Sequence, residues 1–207
     1  MDNNINIAVL GKGNVGKNKL ISKYIHYVHP DEQVPTIEYK KYINLKIDNK
    51  PYNICILETA GEADYQSMMD MWISFAEGLI LVFAIEDKDS FENLNSKIAR
   101  IQKVKKGIVP IILVGNKLKL KEERKVSFEE AIKFANSCGI EYIEISTTTN
   151  FNIKEAFEKL IIKIVSQNKN KKKYFTQNIP KISYPGIDRK KKLAKDFYLK
   201  LKRYENY

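Results

Sequence analysis

Short apolar runs alternate with segments of helical periodicity along most of this chain. The apolar runs at residues 5–10, 78–85, 110–115 and 140–145 predict buried strands. Residues 42–47 and 52–57 instead alternate between apolar and polar positions on either side of a turn, which is typical of a β-hairpin. Apolar residues at helical spacing predict helices over residues 19–27, 90–104, 128–137 and 153–165.

This order of elements predicts an α/β fold of three layers. Strands that are apolar throughout and separated by helices are typical of a parallel sheet covered on both faces. We therefore expect a mostly parallel, six-stranded sheet with one antiparallel strand from the hairpin and helices on both sides. Asp89 or Ser90 is expected to cap the helix over residues 90–104. Ser127 is expected to cap the next helix, with Glu130 completing a capping box.

A glycine-containing loop joins the first strand to the first helix. Its sequence is Gly11-Lys12-Gly13-Asn14-Val15-Gly16-Lys17, the G-x-x-x-x-G-K pattern of a phosphate-binding loop in its usual strand–loop–helix context. Backbone N–H groups and the start of a helix favour an oxyanion there. Lys17 is predicted to reach the terminal phosphates as a point charge. The pattern requires Ser or Thr next, to bind Mg²⁺, and here that residue is Asn18.

Charge divides the chain into two parts. Residues 168–207 carry 13 Lys and Arg against 3 Asp and Glu, whereas the rest of the chain is nearly neutral although the net charge is +11. We expect a globular domain over residues 1–167, a linker over 168–188 and a basic amphipathic tail over 189–207. Apolar runs long enough for a membrane helix and a signal-peptide core are both absent from the sequence, which predicts a cytoplasmic protein. Cys55 and Cys138 are expected to be buried free thiols.

The tail suggests a second surface. Leu193, Phe197, Leu201 and Tyr204 form one helical stripe flanked by Lys and Arg. A basic amphipathic helix of this kind suits an anionic membrane surface, so residues 189–204 are candidates for peripheral membrane association. The alternatives are a solvated extension, a helix packed on the domain or, less favoured, a nucleic-acid contact. The last residues contain no cysteine, so a prenyl anchor is not expected.

An ordered set of motifs over about residues 4–167 resembles the Ras family of small GTPases. Besides the phosphate loop, it comprises Pro35-Thr36-Ile37-Glu38, Glu58-Thr59-Ala60-Gly61, Ser90-Phe91-Glu92, Gly115-Asn116-Lys117 and Tyr142-Ile143-Glu144-Ile145-Ser146. The resemblance implies a phosphate-loop NTPase fold that binds GDP or GTP with Mg²⁺ and acts as a signalling switch. It also implies effector or regulator contacts through residues 33–41 and 59–70.

The resemblance further assigns roles to particular residues. It implies a metal site formed by Asn18 and Thr36, with Glu58 holding the metal through water. It also implies catalytic roles for Lys17 and for Glu62, which would position the attacking water. Thr36 would meet Mg²⁺ and the γ-phosphate in the triphosphate state. The implied nucleotide contacts are Gly11, Gly13, Asn14, Val15, Gly16, Lys17, Asn18, His29, Thr36, Gly61, Asn116, Lys117, Lys119, Ser146 and Thr147.

Four of these positions depart from the family pattern. Asn18 offers an amide oxygen where the family has a hydroxyl, and Glu58 and Glu62 stand where it has Asp and Gln. The family's guanine-binding Asp is here Lys119. Its ammonium has only hydrogen-bond donors, and it would face the ring N–H and the amino group of guanine, which are also donors. Losing two charge-assisted hydrogen bonds costs about 3–6 kcal/mol, or roughly two to four decades of affinity.

Other positions keep or change the family's contacts in part. The backbone N–H of Thr147 can still bond a guanine oxygen, and His29 can stack on the base where the family commonly has Phe. Lys40 and Lys41 make the predicted edge strand basic, so typical Ras-binding domains are expected to bind poorly.

Two functions remain open at this point. The first is a Ras-like switch that binds guanine nucleotide and hydrolyses GTP slowly or with a partner's help. The alternative is a pseudo-GTPase that keeps the fold as an interaction scaffold and binds nucleotide weakly or not at all. A phosphotransferase activity ranks third, since the sequence has no second substrate motif.

Overall fold

A computed structural model describes residues 3–29, 36–37, 40–59, 66–117 and 123–177, with the backbone alone at 36–37, 66–67 and 171–177. The strands are β1 (Asn4–Gly11), β2 (Thr36–Ile37), β3 (Lys40–Ile47), β4 (Lys50–Glu58), β5 (Gly78–Ala84), β6 (Ile111–Asn116) and β7 (Glu141–Glu144). The helices are α1 (Lys17–Val28), α2 (Gln66–Phe75), α3 (Lys88–Glu92), α4 (Leu94–Val104), α5 (Phe128–Ser137) and α6 (Ile153–Gln177).

The strands form one sheet in the order β2-β3-β4-β1-β5-β6-β7. The six longer strands are those predicted from the sequence. β3 is the antiparallel one, and β4, β1, β5, β6 and β7 run parallel. The two-residue β2 adds to the outer edge of β3 in antiparallel register. The predicted α/β architecture is confirmed, and the carboxyl ends of the parallel strands meet at one edge, where open α/β sheets bind ligands.

Helices cover both faces of the sheet, as predicted. Alternate residues of β1 point to opposite sides: Ile7 and Val9 pack with α1 and α6, whereas Ala8 and Leu10 pack with α2, α4 and α5. All four side chains are fully buried. A single strand therefore contributes to two cores, which explains its continuous apolar sequence.

The helix predicted over residues 90–104 differs in two ways. It starts earlier, because Asp87 lies in an extended conformation and its carboxylate accepts a hydrogen bond from the Ser90 N–H at 3.2 Å. Asp87 is thus the cap, rather than Asp89 or Ser90. The segment is also interrupted at Asn93, which separates α3 from α4. Ser127 caps α5 as predicted, accepting from the Glu130 N–H at 3.0 Å.

The last helix is longer than predicted. It continues from residue 165 to Gln177 and so includes residues 168–177, which were expected to begin a linker. Periodicity alone misplaced the end because the added turns are polar. In the first of these turns, Gln167 donates a hydrogen bond to the Ile108 carbonyl (2.6 Å) and Lys169 donates one to Asp48 (2.8 Å). Pro180 is the first helix-breaking residue in this part of the sequence.

The chain divides into two units, residues 1–169 and 170–207. Of the second unit, the structure describes the helical residues 170–177, so the predicted tail at 189–207 lies outside the described residues. Within the described ranges, no helix combines the length and the apolar character needed to span a membrane. Both cysteines are free; Cys55 is buried as predicted, but Cys138 is half-buried.

Candidate functional site

The predicted phosphate loop connects β1 to α1 at the ligand-binding edge of the sheet. β1 ends at Gly11, where an added Cβ would lie 2.4 Å from the Val82 carbonyl oxygen of the neighbouring strand. Gly16 takes a left-handed backbone with φ of 92° and caps the start of α1. Glycine is the residue that adopts this conformation without strain. These two positions let the backbone fold tightly between strand and helix.

Lys17 is held across this loop. Its side chain is buried, and its ammonium donates hydrogen bonds to the carbonyls of Gly11 (3.2 Å) and Lys12 (2.9 Å). Both acceptors belong to the loop that starts at the end of β1, so the positive charge is fixed close to the loop backbone. A cation held beside the free N–H groups of a helix start favours a phosphate there.

Asn116, at the end of β6, joins the phosphate loop to the loop after β7. Its amide nitrogen donates to the Val15 carbonyl at 2.8 Å, and its amide oxygen accepts from the Thr147 N–H at 3.4 Å. Asn116 is 1% exposed, and Thr147 and Ser146 are also buried. The close packing extends to Gly16, where a Cβ would meet the Asn116 amide nitrogen at 2.4 Å. Three predicted site segments are therefore one connected structure.

Lys117 follows Asn116 in a left-handed conformation with φ of 70°. Its ammonium pairs with the carboxylate of Glu86, which lies two residues after the end of β5. On the other side of the phosphate loop, the Lys12 ammonium pairs with Asp89 and lies 3.8 Å from Asp87. The segment 86–89 therefore anchors both the phosphate loop and the Asn116–Lys117 segment.

The loop after β7 is fixed by a half-buried ion pair. Arg124 donates two hydrogen bonds to Glu144, at 2.8 and 2.9 Å, and Tyr142 donates a third at 2.8 Å. Burial, followed by this bond to Glu144, raises the pKa of Tyr142, and the bond to Glu144 raises the pKa of Arg124. Asn152 donates to the Glu144 carbonyl at 3.0 Å. These contacts hold the backbone that leads to Ser146 and Thr147.

A pocket of about 310 Å³ lies between the phosphate loop and these two segments. Its lining is Asn14, Gly16, Lys19, Asn116, Lys117, Thr147 and Thr148. None of these described residues carries a carboxylate. The pocket is thus built from hydroxyl, amide and ammonium groups, which suits a ligand rich in acceptors more than one that presents N–H groups.

Of the residues predicted to hold a metal, the structure describes Asn18 and Glu58 in full and Thr36 by its backbone alone. Asn18 is exposed on the first turn of α1, and its amide oxygen accepts a hydrogen bond from the Ser22 hydroxyl at 3.1 Å. Glu58 ends β4, paired in register with Val9 of β1. The register places the backbone of Thr36 opposite Lys41. No three His, Cys, Asp or Glu side chains in the described part of the chain are grouped to hold a metal ion. The amide oxygen of Asn18 is a poorer ligand for Mg²⁺ than the hydroxyl that the family has there, and it is engaged with Ser22.

The remaining predicted residues are described in part or not at all. His29 directly follows α1, and its N–H donates to the Ile25 carbonyl at 2.8 Å. Gly61, Glu62 and Lys119 lie outside the described residues, so their predicted roles stay predictions. Thr59, which the sequence motif included without a role, is buried and donates to the Val9 carbonyl at 2.8 Å.

Sequence reasoning missed the acidic anchors of the site. Glu86, Asp87 and Asp89 all follow the carboxyl end of a predicted buried strand. Because ligands bind at that edge, a run of carboxylates there is a signal that these residues belong to the site. The pairing of Arg124 with Glu144 gave no such signal, because α5 and most of β7 separate the two residues in sequence.

The strand, the glycine-containing loop and the tethered lysine together define a phosphate-loop α/β protein. The family model "Ras family" matches residues 6–166. The chain therefore belongs to the Ras family of small GTPases, as the sequence motifs predicted.

Individual relatives agree with this assignment. The chain is 37% identical over 156 residues to Ras-like protein 1 of Saccharomyces cerevisiae, covering 75% of this chain but only 50% of that protein. It is 34% identical over 164 residues to the GTP-binding protein Rit1 of Mus musculus, covering 79% of this chain and 75% of that one. It is also 34% identical over 186 residues to the human Ras-related protein R-Ras, covering 89% and 82%.

Proposed function

We propose that this protein is a Ras-type molecular switch that binds GDP and GTP through the phosphate loop. The observation that carries the proposal is the fixed position of Lys17, whose ammonium is bonded to the carbonyls of Gly11 and Lys12. An incoming phosphate would meet this charge and the N–H groups at the start of α1 without reorganising the loop. The tie from Asn116 to Val15 adds support, because it sets the phosphate loop beside the pocket for the base.

Guanine is the base we propose, bound less tightly than in relatives that keep the acidic residue. The Thr147 N–H donates to the Asn116 amide oxygen at 3.4 Å, and a guanine oxygen would replace this long bond. The ring N–H and amino group of guanine would find no carboxylate among the described pocket residues, and the sequence places Lys119 where the family has Asp. We expect the loss of roughly two to four decades of affinity estimated above.

Hydrolysis is proposed to be slow or to depend on a partner protein. Lys17 would neutralise charge that develops on the phosphates, and Glu62 would position water. Glu62 in place of the family's Gln brings a negative charge close to the γ-phosphate. Mg²⁺ supplies charge neutralisation in the family, but Asn18 is a poorer ligand for it than the family's hydroxyl, and the proposed chemistry takes no step through it.

The proposed partners are those of a switch protein. Effectors or regulators would contact residues 33–41 and 59–70, and the basic tail at 189–204 would associate with an anionic membrane surface. The second proposal depends on sequence alone and places the protein at the cytoplasmic face of a membrane.

Acid extraction followed by nucleotide titration tests the proposal. The purified full chain is extracted with acid, any released nucleotide is identified, and GDP, GTP and ATP are then titrated against stripped protein. We expect guanine nucleotide to be released and to bind more tightly than ATP. A Lys17→Ala variant should lose this binding while it stays folded. If stripped protein binds no nucleotide at all, the protein is the interaction scaffold instead.

A further inference from the structure

A chain of hydrogen bonds links the start of α1 to a lysine on β3. Ser22 lies one helical turn after Asn18, and its hydroxyl donates to the Asn18 amide oxygen at 3.1 Å. The same hydroxyl accepts from the Lys41 ammonium at 3.3 Å. A hydroxyl can donate and accept at once, so the three side chains form one directed chain from Lys41 to Asn18.

This chain ends where the family would hold its metal. Asn18 immediately follows Lys17, which is the tethered lysine of the phosphate loop, and it replaces the hydroxyl ligand of Mg²⁺. The amide oxygen of Asn18 accepts a hydrogen bond from Ser22, one helical turn further along α1. The first turn of α1 also contains no acidic residue. The hydroxyl that binds the divalent cation in the family is therefore absent at residue 18. The Lys41 ammonium is connected to Asn18 by two hydrogen bonds through Ser22.

The position of Lys41 is set by the sheet. It pairs with Ile56 of β4 on one side and, in register, with Thr36 of β2 on the other. Its side chain is half-buried, so the apolar stem is held while the ammonium reaches the exposed Ser22. A lysine ammonium is a compact charge on a flexible stem and needs no octahedral set of oxygens, unlike Mg²⁺.

We infer that Lys41 serves as a built-in counter-ion for the bound phosphates and that nucleotide binding does not require Mg²⁺. When a phosphate occupies the loop, the Lys41 ammonium moves from Ser22 to the phosphate oxygens, a shift of about one helical turn. Lys41 then supplies one of the positive charges that the metal supplies in the family. This inference rests on the proposed nucleotide binding and names the cation that accompanies it.

The test compares GDP affinity in excess Mg²⁺ and in excess EDTA, using full-length protein stripped of nucleotide. We expect the two dissociation constants of the unmodified protein to agree within about threefold. In EDTA, Lys41→Gln should weaken GDP binding by about 10- to 100-fold, since a charge-assisted contact is lost. Lys41→Arg should keep most of the affinity, because the charge remains.

Lys40→Gln is the matched control. It removes the same charge from the adjacent residue, whose ammonium instead lies 5.0 Å from the centre of the Phe75 ring. We expect its GDP affinity to equal that of the unmodified protein. Circular dichroism and thermal unfolding check that each variant is folded. The comparison of GDP affinity in Mg²⁺ and in EDTA uses the unmodified protein and so does not depend on the folding of a variant.

The outcomes separate the two proposals. GDP binding that is lost in EDTA and restored by Mg²⁺ overturns the role of Lys41 and leaves the proposed function standing. If Lys40→Gln and Lys41→Gln weaken GDP binding equally, the role of Lys41 is also overturned, because the loss then reflects the net charge of the protein and not one contact. If GDP binds under neither condition, the proposed function fails and the inference fails with it.

Discussion

Asn116 donates a hydrogen bond to the carbonyl of Val15, which lies 101 positions earlier in the chain, at 2.8 Å. This one contact sets the phosphate loop against the segment expected to meet the base. Both groups are buried, so water is not available to replace the bond. One amide side chain therefore joins the phosphate loop directly to the segments that follow β6 and β7.

Replacing Asn116 with Ala should destabilise the fold and weaken nucleotide binding together. The Val15 carbonyl and the Thr147 N–H would each lose a partner in a buried place. A buried unsatisfied group costs about 1–3 kcal/mol, so we expect a loss of that order in the free energy of urea unfolding. Asn95→Ala is the control, because Asn95 is exposed and donates only to the nearby Glu92 carbonyl at 3.3 Å. Equal stability of the two variants would contradict the proposed role of Asn116.

Gly16→Ala should also destabilise the protein, before any ligand is added. Alanine in a left-handed conformation costs about 1–2 kcal/mol, and its Cβ would displace the Asn116 amide, 2.4 Å away. Gly13→Ala provides the comparison within the same loop, because a Cβ there meets no atom within 4 Å. Thermal unfolding of the nucleotide-free variants should show a clear drop in Tm for Gly16→Ala and a small one for Gly13→Ala. The reverse order would show that the loop has another conformation in solution.

The strands and the phosphate loop could be predicted because their signals are local. A run such as residues 78–85 is apolar at every position, and the loop glycines are adjacent in sequence. The ion pairs of the site could not be predicted in this way. Lys12 and Asp89 are 77 positions apart, and Lys117 and Glu86 are 31 apart. Their pairing exists only because β1, β5 and β6 lie side by side in the sheet.

The same reasoning explains two of the differences between the predicted and the observed helices. The extension of α6 beyond residue 165 is supported by long-range contacts to Ile108 and Asp48 rather than by an apolar stripe. The earlier start of α3 depends on a single Asp87 carboxylate, and both Asp87 and Asp89 are plausible caps by residue type. Local composition leaves such choices open, and tertiary contacts decide them.

Tyr24→Phe should leave stability unchanged at neutral pH or raise it by about 1 kcal/mol. The Tyr24 hydroxyl is buried and has no hydrogen-bond partner among the described residues, while its ring stacks on Phe157 at 4.0 Å between centroids. Removing the hydroxyl removes an unpaired polar group and keeps the ring contact. Urea unfolding at about pH 7 measures the change. Tyr142→Phe is the contrast, since it breaks the hydrogen bond to Glu144 and should be destabilising.

The same residue predicts a loss of stability in alkali. Burial raises the pKa of Tyr24 in the folded state, whereas the pKa of a tyrosine in the unfolded chain is about 10. Above that pH the unfolded chain releases a proton that the folded chain keeps, so the free energy of unfolding falls as pH rises. Tyr24→Phe should reduce this fall when unfolding is compared between about pH 8 and about pH 10.5. An identical pH profile for both proteins would show that Tyr24 ionises normally in the fold.

The tail gives a prediction that does not depend on the nucleotide. Residues 189–204 should bind vesicles that contain anionic lipid and not neutral vesicles, because their basic residues flank an apolar stripe. Each Lys or Arg near such a surface contributes roughly 1 kcal/mol, so binding should weaken steeply as salt is added. Co-sedimentation of the full chain and of a chain lacking residues 188–207 measures this. Absence of sedimentation with anionic vesicles at low salt would end the membrane proposal.

Lys119→Asp should restore tight binding of guanine. The new carboxylate would accept hydrogen bonds from the ring N–H and the amino group, a gain of about 3–6 kcal/mol, or roughly two to four decades in Kd. Titration of GDP against the variant and the unmodified protein measures the change. ADP is the internal control, because adenine presents no ring N–H at that edge and its Kd should stay nearly constant. If the affinity for GDP is unchanged by Lys119→Asp, guanine does not lie in the pocket between Asn116 and Thr147, and the proposed orientation of the nucleotide is wrong.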